Sequence, residues 1–440
     1  LSEEKITMNV GLIGIGTVGG GTYKVLTENF QEIFNKIGIE IKVTHVADKD
    51  VDLAKKTVDK SVKIVPDAFE LIANEDVDLV VELIGGTSVA KDLVKSALAN
   101  GKHVVTANKA LIATHGEELF QVADENKVVL AYEAAVAGGI PIIKALREGL
   151  AGNKIEWVAG IVNGTTNYIL SEMKDNDLSF DTALKQAQEL GFAEADPTFD
   201  IEGVDAAHKI TIMASIAFGI PINFDAVFIE GINGLDQKDI SYAEELGYRI
   251  KLLALAKLEE RGVEVRVHPT LIPESRLVAN VSGPMNAVLV KGNMVGPTLY
   301  YGAGAGAEPT ASAVVADIID IARQSQVSNK PFIPSLGFMT NQIKEKEILS
   351  IDDINSEFYL RLSMKNQAGS LAKITKIFAS HNISIDAMTQ KVEHNQSIDP
   401  DIFLVTSKTK ESIVNEIIEE IEAFPDNNHK IIKLRIEELT

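Results

Sequence analysis

The chain has 440 residues, 45% of them hydrophobic, which is about three domains' worth of sequence on the usual ~150-residue scale and ample for packed cores. Its 42 basic and 63 acidic residues leave a formal charge of −21, so no basic field exists to displace phosphate counterions, and nucleic acid and anionic membrane surfaces are disfavoured as partners. Cysteine is absent, which excludes disulfides, thiolate metal sites and a thiol nucleophile; no apolar run nears the ~18 residues of a membrane span, no signal peptide pattern opens the chain, and a cytoplasmic enzyme is the default expectation. The first residue is Leu1, and Met8 is one candidate start.

In chain order, residues 9–15 (NVGLIGI) read as a short apolar strand running into GIGTVG, and residues 18–30 as the helix after it. Gly14, Gly16 and Gly19 let the backbone turn tightly and approach a pyrophosphate, whose charge would sit at the helix N-terminus. Gly14, Ile15, Gly16, Thr17, Val18 and Gly19 are therefore a candidate dinucleotide site. A second strand, 41–47, ends at Asp48, which would accept hydrogen bonds from the adenosine ribose and repel a 2′-phosphate. Lys49, Lys55 and Lys56 follow, and either offset that repulsion or are solvated surface charges. Residues 77–84 read as a strand, 89–100 as a helix, and 102–107 as a strand ending in Thr106, Ala107, Asn108 and Lys109. That end is the carboxyl edge, where open α/β sheets bind ligands, so Lys109 is a candidate site residue; the alternative is a solubilising loop charge. The alternation predicts a doubly wound α/β Rossmann domain.

Residues 133–143 (EAAVAGGIPII) place Glu133 before Gly138, Gly139 and Pro141, a composition that suits either carbonyl ligation of a hard cation or a tight crossover on the sheet. Residues 157–163 read as a strand, and Asn163 opens a helix that Asn163 and Thr165 can cap or use to bind a carboxylate. The stretch 191–209 (GFAEADPTFDIEGVDAAHK) carries five carboxylates and one lysine. Pro197 pushes Asp196 toward extended backbone, so Glu194, Asp196 and Asp200 are expected on an irregular segment, with helix resuming near Gly203. From there Asp205 and Lys209 stand four apart on one helix face and can point into one cleft; the alternative is a solvated acidic loop and a surface ion pair. Strands near 263–271 and 287–291 predict an α+β substrate domain. Its end is 300–322 (YYGAGAGAEPTASAVVADIIDIA), where Gly302, Gly304 and Gly306 lead into a long helix, either an anion-binding turn with a helix returning to the first domain or a flexible connection. None of the eight histidines has metal-ligand spacing such as HExxH, so no catalytic zinc is expected.

Together GIGTVG, TANKALIA, EAAVAGGIP, NGTTNYIL, GFAEADPTFDIEGVDAAHK and YGAGAGAEPTASAV resemble homoserine dehydrogenase, collinearly over about residues 9–340. The resemblance implies NADPH- or NADH-dependent, reversible reduction of L-aspartate 4-semialdehyde to L-homoserine, on the route to threonine and methionine. It implies Lys209 as proton donor and acceptor, with Lys109 assisting at the substrate. It matches Glu194 and Asp205 to residues holding the amino and hydroxyl end of homoserine, with Asp200, Asn163 and Thr165 counted beside them. Gly191 and Gly306 would touch cofactor or substrate, and Asp48, Lys49, Thr106 and Lys109 would lie along the cofactor. A monovalent cation, sodium or potassium, is implied at Glu133 and at the carbonyls of Val136, Gly138 and Ile140. Ala47 stands where some relatives carry Arg, which leaves the coenzyme open between NAD and NADP. The chemistry agrees with these roles, since reducing an aldehyde needs a hydride and a proton for the developing alkoxide, and a cationic lysine both stabilises that charge and delivers the proton. The alternative is a cofactor-binding amino-acid sensor with an idle site, which has no need of a proton shuttle.

After a polar stretch at 344–356, residues 358–440 run strand 358–364, loop 365–369, helix 371–381, strands 383–391 and 401–406, helix 411–423 and strand 430–436, a ferredoxin-like βαββαβ order. SMKNQAGSLAKITKIFASHNISIDAMTQ resembles an ACT domain, which implies amino-acid binding at Asn366, Ala368, Gly369 and Leu371, with threonine the expected effector; the alternative is a dimerisation module that binds nothing. The expected division is a nucleotide domain at 1–132, a substrate domain at 133–308, a returning helix at 309–343, a linker at 344–356 and a regulatory domain at 357–440, in a homodimer or homotetramer. On that division, if threonine binds the ACT domain and inhibits, removing residues from about 345 onward leaves an active enzyme insensitive to threonine, provided the truncated chain still folds and assembles.

Overall fold

Six short strands, nearly all Val, Ile, Leu and Ala where they are buried, form a wholly parallel sheet in the order Lys63–Val65, Glu40–Ala47, Thr7–Ile13, Leu79–Glu82, His103–Thr106, Leu130–Ala131. Such strands need cover on both faces, and the intervening helices provide it. The computed structural model describes residues 6–327, 333–365, 367–391, 400–424 and 430–440. Strand order reverses between Thr7–Ile13 and Leu79–Glu82, so their carboxyl ends part and open a crevice. The helix after the glycine turn is Thr17–Glu28, shorter than the sequence suggested; the chain turns at Asn29 into a separate helix, Phe30–Ile37. Helix Ala307–Ser325 packs along Thr17–Glu28, its Val314, Ile318 and Ile321 joining Val10, Leu12 and Leu26 in one apolar cluster.

The second sheet is mixed and runs Gly296–Ala303, Met285–Gly292, Ile155–Ile161, Tyr248–Leu258, Val263–Pro273, then Ile432–Ile436, Asn355–Ser363, Asp401–Thr406, Ile385–Lys391. Its first five strands are antiparallel neighbours and support helix Val204–Phe218, in which every residue from Asp205 to Phe218 is buried. A helix apolar on all sides is a core helix, and any charge it carries is forced inward.

The last four strands belong to the ferredoxin-like C-terminal domain, and the sheet is continuous because Ile432–Ile436 pairs in parallel with Val263–Pro273 through Thr270 to Arg435 and Leu271 to Ile436. Strand alternation divides the packing. Phe358, Leu360 and Leu362 face the domain's own helices, Ser370–Ser380 and Glu411–Glu422, through Ile374, Phe378, Val414 and Ile417. Tyr359 faces the other way, against Phe403, whose ring centroid lies 3.6 Å from that of Tyr242 on helix Gln237–Glu245.

Charge reinforces this junction. Arg361 Nε donates to Asp239 Oδ1 at 2.7 Å and its Nη2 to Asp239 Oδ2 at 2.9 Å, with Asp239 fully buried; Arg266 Nη2 donates to Glu437 at 2.6 Å and Arg435 Nη1 to Glu230 at 2.8 Å. The stretch read as a linker is tied down as well: Lys344 N–H donates to Gly219 O, Val263 N–H to Glu347 O, and Leu349 N–H to Val263 O. Removal of residues from 345 onward would open a sheet edge and take Arg361 from the buried Asp239, while Arg266 would keep Glu264 and Glu230 would remain solvated, so whether the excised chain folds rests on Asp239 and the exposed edge.

Breaking a buried pair by removing one partner costs about 3–5 kcal/mol, whereas exposed pairs contribute ~0–1 kcal/mol. Arg361→Ala is accordingly expected to lower unfolding free energy of the full chain by about 3 kcal/mol or more, while Lys238→Ala, which removes the more exposed Lys238 to Asp401 pair, costs under about 1 kcal/mol. Denaturant unfolding of the two variants decides it, and equal effects would show that the junction is held by its apolar contacts alone.

Candidate active site

A cavity of about 590 Å³ lies between the crevice of the parallel sheet and the second domain, lined by Val18, Lys109, Gly138, Asn163, Thr165, Gly191, Asp200, Asp205, Lys209, Asn286 and Gly306 among others. Another, of about 730 Å³, opens among Met8, Asp78, Lys102 and His103, at the amino ends of the strands and away from the glycine turn. The first is where an open α/β sheet presents ligands.

Its centre is the Asp205 carboxylate, in the first turn of Val204–Phe218 and 4% exposed. Lys209, one turn on, donates to Asp205 Oδ2 at 2.6 Å and to Val162 O at 2.6 Å, while Lys109 reaches Asp205 Oδ1 at 3.1 Å. Asn163 donates through Nδ2 to both Asp200 Oδ1, 2.7 Å, and Asp205 Oδ2, 2.8 Å. Its Oδ1 accepts the Thr166 N–H at 2.8 Å, capping helix Gly164–Asp175, so the amide orientation is fixed by the helix it starts. Burial opposes the Asp205 charge, but the Lys209 and Lys109 ammonium groups outweigh it and hold the carboxyl below the usual range. Burial pushes Lys209 down, with Asp205 opposing and Lys109 adding to the effect. Asp200 is pushed up by burial. Lys109 begins helix Lys109–Asn126, where the macrodipole disfavours a cation, and the nearby Asp205 offsets that cost.

One charged pair thus spans two domains inside a cavity. The arrangement can hold a carbonyl or hydroxyl oxygen near a buried ammonium and exchange a proton with it. His208, next to Lys209, is stacked between Phe199 and Phe224, and burial pulls it down to about 4, so it adds no positive charge near neutral pH.

The nucleotide side fits a dinucleotide. Gly14 has φ +92°, and a Cβ at Gly19 would stand 2.0 Å from Gly14 O, so the turn before helix Thr17–Glu28 requires glycine. Gly16 is the N-cap residue and Thr17 the first helical one; Val18 reaches the cavity. Asp48 is turned inward, its Oδ2 accepting the Ile15 N–H at 2.7 Å and its Oδ1 the Asp50 N–H at 2.8 Å. It braces the glycine turn, with exposed Lys49 beside it.

Several residues fall elsewhere than the sequence suggested. Thr106 is fully buried; its hydroxyl donates to Glu82 Oε2 at 2.6 Å and accepts the Asn108 N–H, so it does not face the cavity. Glu194 is exposed and does not line the cavity, because the 191–197 loop carries it outward. Asp200 lies not on irregular chain but on a one-turn helix, Thr198–Ile201, with Pro197 at its N-cap, a position that needs no N–H. Thr165 donates to Phe192 O at 2.5 Å. Asn286 lines the cavity with an unpartnered Oδ1; nothing in its sequence neighbourhood signalled it. Ala368 and Gly369 are exposed at the start of Ser370–Ser380 and Leu371 is half-buried, while Asn366 lies outside the described residues.

Among the described residues no three His, Cys, Asp or Glu side chains gather as a metal site, so a cation near Glu133 would rely on one carboxylate and carbonyls. Glu133 is buried and accepts the N–H groups of Ile143, 2.9 Å, and Lys144, 2.8 Å, and the backbone turns left-handed at Ala137 and Gly138. The Ile140 carbonyl accepts the Ile142 N–H at 2.8 Å. The second buried carboxylate beside Glu133, Asp317, already faces the Lys144 ammonium at 3.6 Å, so part of this negative charge is met without a bound cation.

Residues 14–133 match the family described as the homoserine dehydrogenase NAD-binding domain, 141–319 that described as homoserine dehydrogenase, and 358–426 the ACT domain. The chain is 53% identical over 432 residues, 98% of its length and 99% of the other's, to a homoserine dehydrogenase of Neisseria gonorrhoeae. A homoserine dehydrogenase structure from Thiobacillus denitrificans superposes with TM-score 0.94 at 53% identity, covering 99% of each chain; one from S. aureus gives 0.77 at 32%, covering 99% and 100%.

Burial pushes Glu133 up to about 7, helped by Asp317, and burial pushes Asp317 up to about 6. Both groups bind protons more tightly folded than unfolded, so their contribution to stability is full below about pH 4 and is lost as pH rises through about 7. Thermal unfolding of Glu133→Gln between about pH 5 and pH 8 is expected to show a shallower alkaline loss of stability than the natural chain. Coincident profiles would remove Glu133 from the titrating groups.

Proposed function

The chain belongs to the homoserine dehydrogenase family, and from this premise we propose that it interconverts L-aspartate 4-semialdehyde and L-homoserine with NAD or NADP. The observation that carries the reading is the Asp205 carboxylate shared by two lysines from different domains, beside a glycine turn built for a dinucleotide. The nicotinamide, when bound, supplies or accepts the hydride. Lys209 gives its proton to the alkoxide forming at the aldehyde oxygen and takes it back in the oxidative direction; burial, by favouring the neutral amine, brings that return within reach. Asp205 keeps the ammonium form available and orients it. Lys109 adds a second positive charge where the oxyanion develops. Asp200, held by Asn163, serves the substrate's ammonium group from within the cavity, which Glu194 does not line. An idle sensor site gives no reason to retain two lysines on a buried acid.

A sodium or potassium ion, held by Glu133 with carbonyls of Val136, Gly138 and Ile140, would supply local positive charge to the turn between the domains. Threonine is the proposed effector, bound where Ala368, Gly369 and Leu371 open the first helix of the ACT domain.

Lys209→Met, of similar length and no charge, is expected to lower kcat for homoserine oxidation by about 10²–10⁴-fold while NADPH affinity, read by nucleotide fluorescence, stays within about twofold. Unchanged turnover would sink the assignment of the proton shuttle. Titration calorimetry of the full chain should show saturable heat with threonine and little with serine; no heat from threonine would leave the ACT domain as an assembly surface.

A further inference from the structure

Arg435, on the last strand of the C-terminal domain, reaches out of its own domain although its charge is already met within it. The side chain is 1% exposed; Nε donates to Glu411 Oε2 at 2.7 Å, Nη2 pairs with Glu411 Oε1, and Lys433 pairs with the same carboxylate. Even so, Nη1 donates to Glu230 Oε2 at 2.8 Å, with the guanidinium over the Phe228 ring at 4.9 Å. Phe228–Ile229 and Ile432–Ile436 lie end to end on one edge of Val263–Pro273, which brings the two side chains together.

Glu230 opens a three-residue segment that grips the turn carrying Asp200. Its N–H donates to Val267 O at 2.8 Å, and the Ile232 N–H donates to Ile201 O at 2.8 Å. Between them Gly231 packs so closely that a Cβ there would stand 2.3 Å from Ile201 O. Asp200 immediately precedes Ile201 and accepts the Asn163 amide at 2.7 Å, the same amide that donates to Asp205 at 2.8 Å. Helix Thr198–Ile201 is one turn long and has no fully buried residue; of its residues Ile201 packs against the core, so its own few hydrogen bonds hold it weakly and its tethers matter. Its position follows from what its ends are tied to.

We infer that Glu230, anchored by Arg435, is a positioning residue for Asp200, so that the C-terminal domain sets the placement of a substrate carboxylate through Arg435, Glu230 and the Ile232 to Ile201 bond. The inference rests on the reading of this cavity as the substrate site. Glu230 is 38% exposed, so its replacement leaves no carboxylate stranded in the core, and Arg435 keeps Glu411.

The test uses the full-length chain with homoserine and oxidised cofactor, comparing Glu230→Ala, Glu230→Gln, Asp200→Asn and the double variant Asp200→Asn with Glu230→Ala. Turnover by the unaltered chain tests the functional reading by itself. Glu230→Ala is expected to raise KM for homoserine by about 5–20-fold with kcat, NADPH affinity and melting temperature little changed, and Glu230→Gln, which keeps an acceptor, to recover most of that loss. In the Asp200→Asn background, itself raised in KM, Glu230→Ala should add almost nothing, because the two act through one group. An unchanged KM in Glu230→Ala overturns the inference. So do additive effects in the double variant, or a parallel fall in NADPH affinity and melting temperature, which would mean general loosening.

Discussion

The structure turns on a carboxylate that cannot be left alone. Asp205 is drawn into the interior by a helix that is buried on every side, and an isolated charge there would be untenable. Three groups resolve this: Lys209 on the same helix, Lys109 at the start of a helix in the parallel-sheet domain, and the Asn163 amide from a third helix. Each partner comes with a second tether. Lys209 also donates to a carbonyl, Lys109 lies over the Phe199 ring at 5.8 Å, and Asn163 caps the helix it begins. The two domains are therefore held in register by the same electrostatics that makes the site reactive.

This has a consequence for how the cavity is built. The lysines bind opposite oxygens of one carboxylate, which keeps two positive charges apart while leaving both directed at the same space. His208 sits nearby between two aromatic rings with its proton affinity suppressed, so the cluster does not acquire a third cation near neutral pH. On the other side, Asp48 performs a comparable double duty by bonding the glycine turn from behind.

Much of this was legible in the sequence, and the limits are physical. The glycine turn could be read because its strand, turn and helix are contiguous, and Asp205 with Lys209 because four-residue spacing has one meaning on a helix. Lys109 was recognisable only as a strand-end residue; its ion pair depends on a contact 96 positions away, the difference between 205 and 109. Thr106 and Glu194 were named from motifs, and a motif marks a segment, while the direction of each side chain depends on neighbours such as Glu82 that periodicity does not report. The Pro197 turn was read as irregular because proline bars helix before itself, yet it is well suited to beginning one.

The shared sheet was invisible for a stronger reason. Only two residue pairs join Ile432–Ile436 to Val263–Pro273, and no local pattern announces so short a parallel contact between segments about 165 residues apart. Buried charge helps to fix it, since a slipped register would strand the fully buried Asp239 without Arg361, and buried ion pairs do more to select one geometry than to add stability. Arg361, Arg435 and Arg266 each reach a specific acid across the junction, and a shift of one residue would turn all three to the wrong face. An ACT domain attached in this way cannot swing freely on a tether. Whatever it communicates must pass as strain through those pairs, and the segment from Glu230 to Ile232 is where that strain meets the turn carrying Asp200.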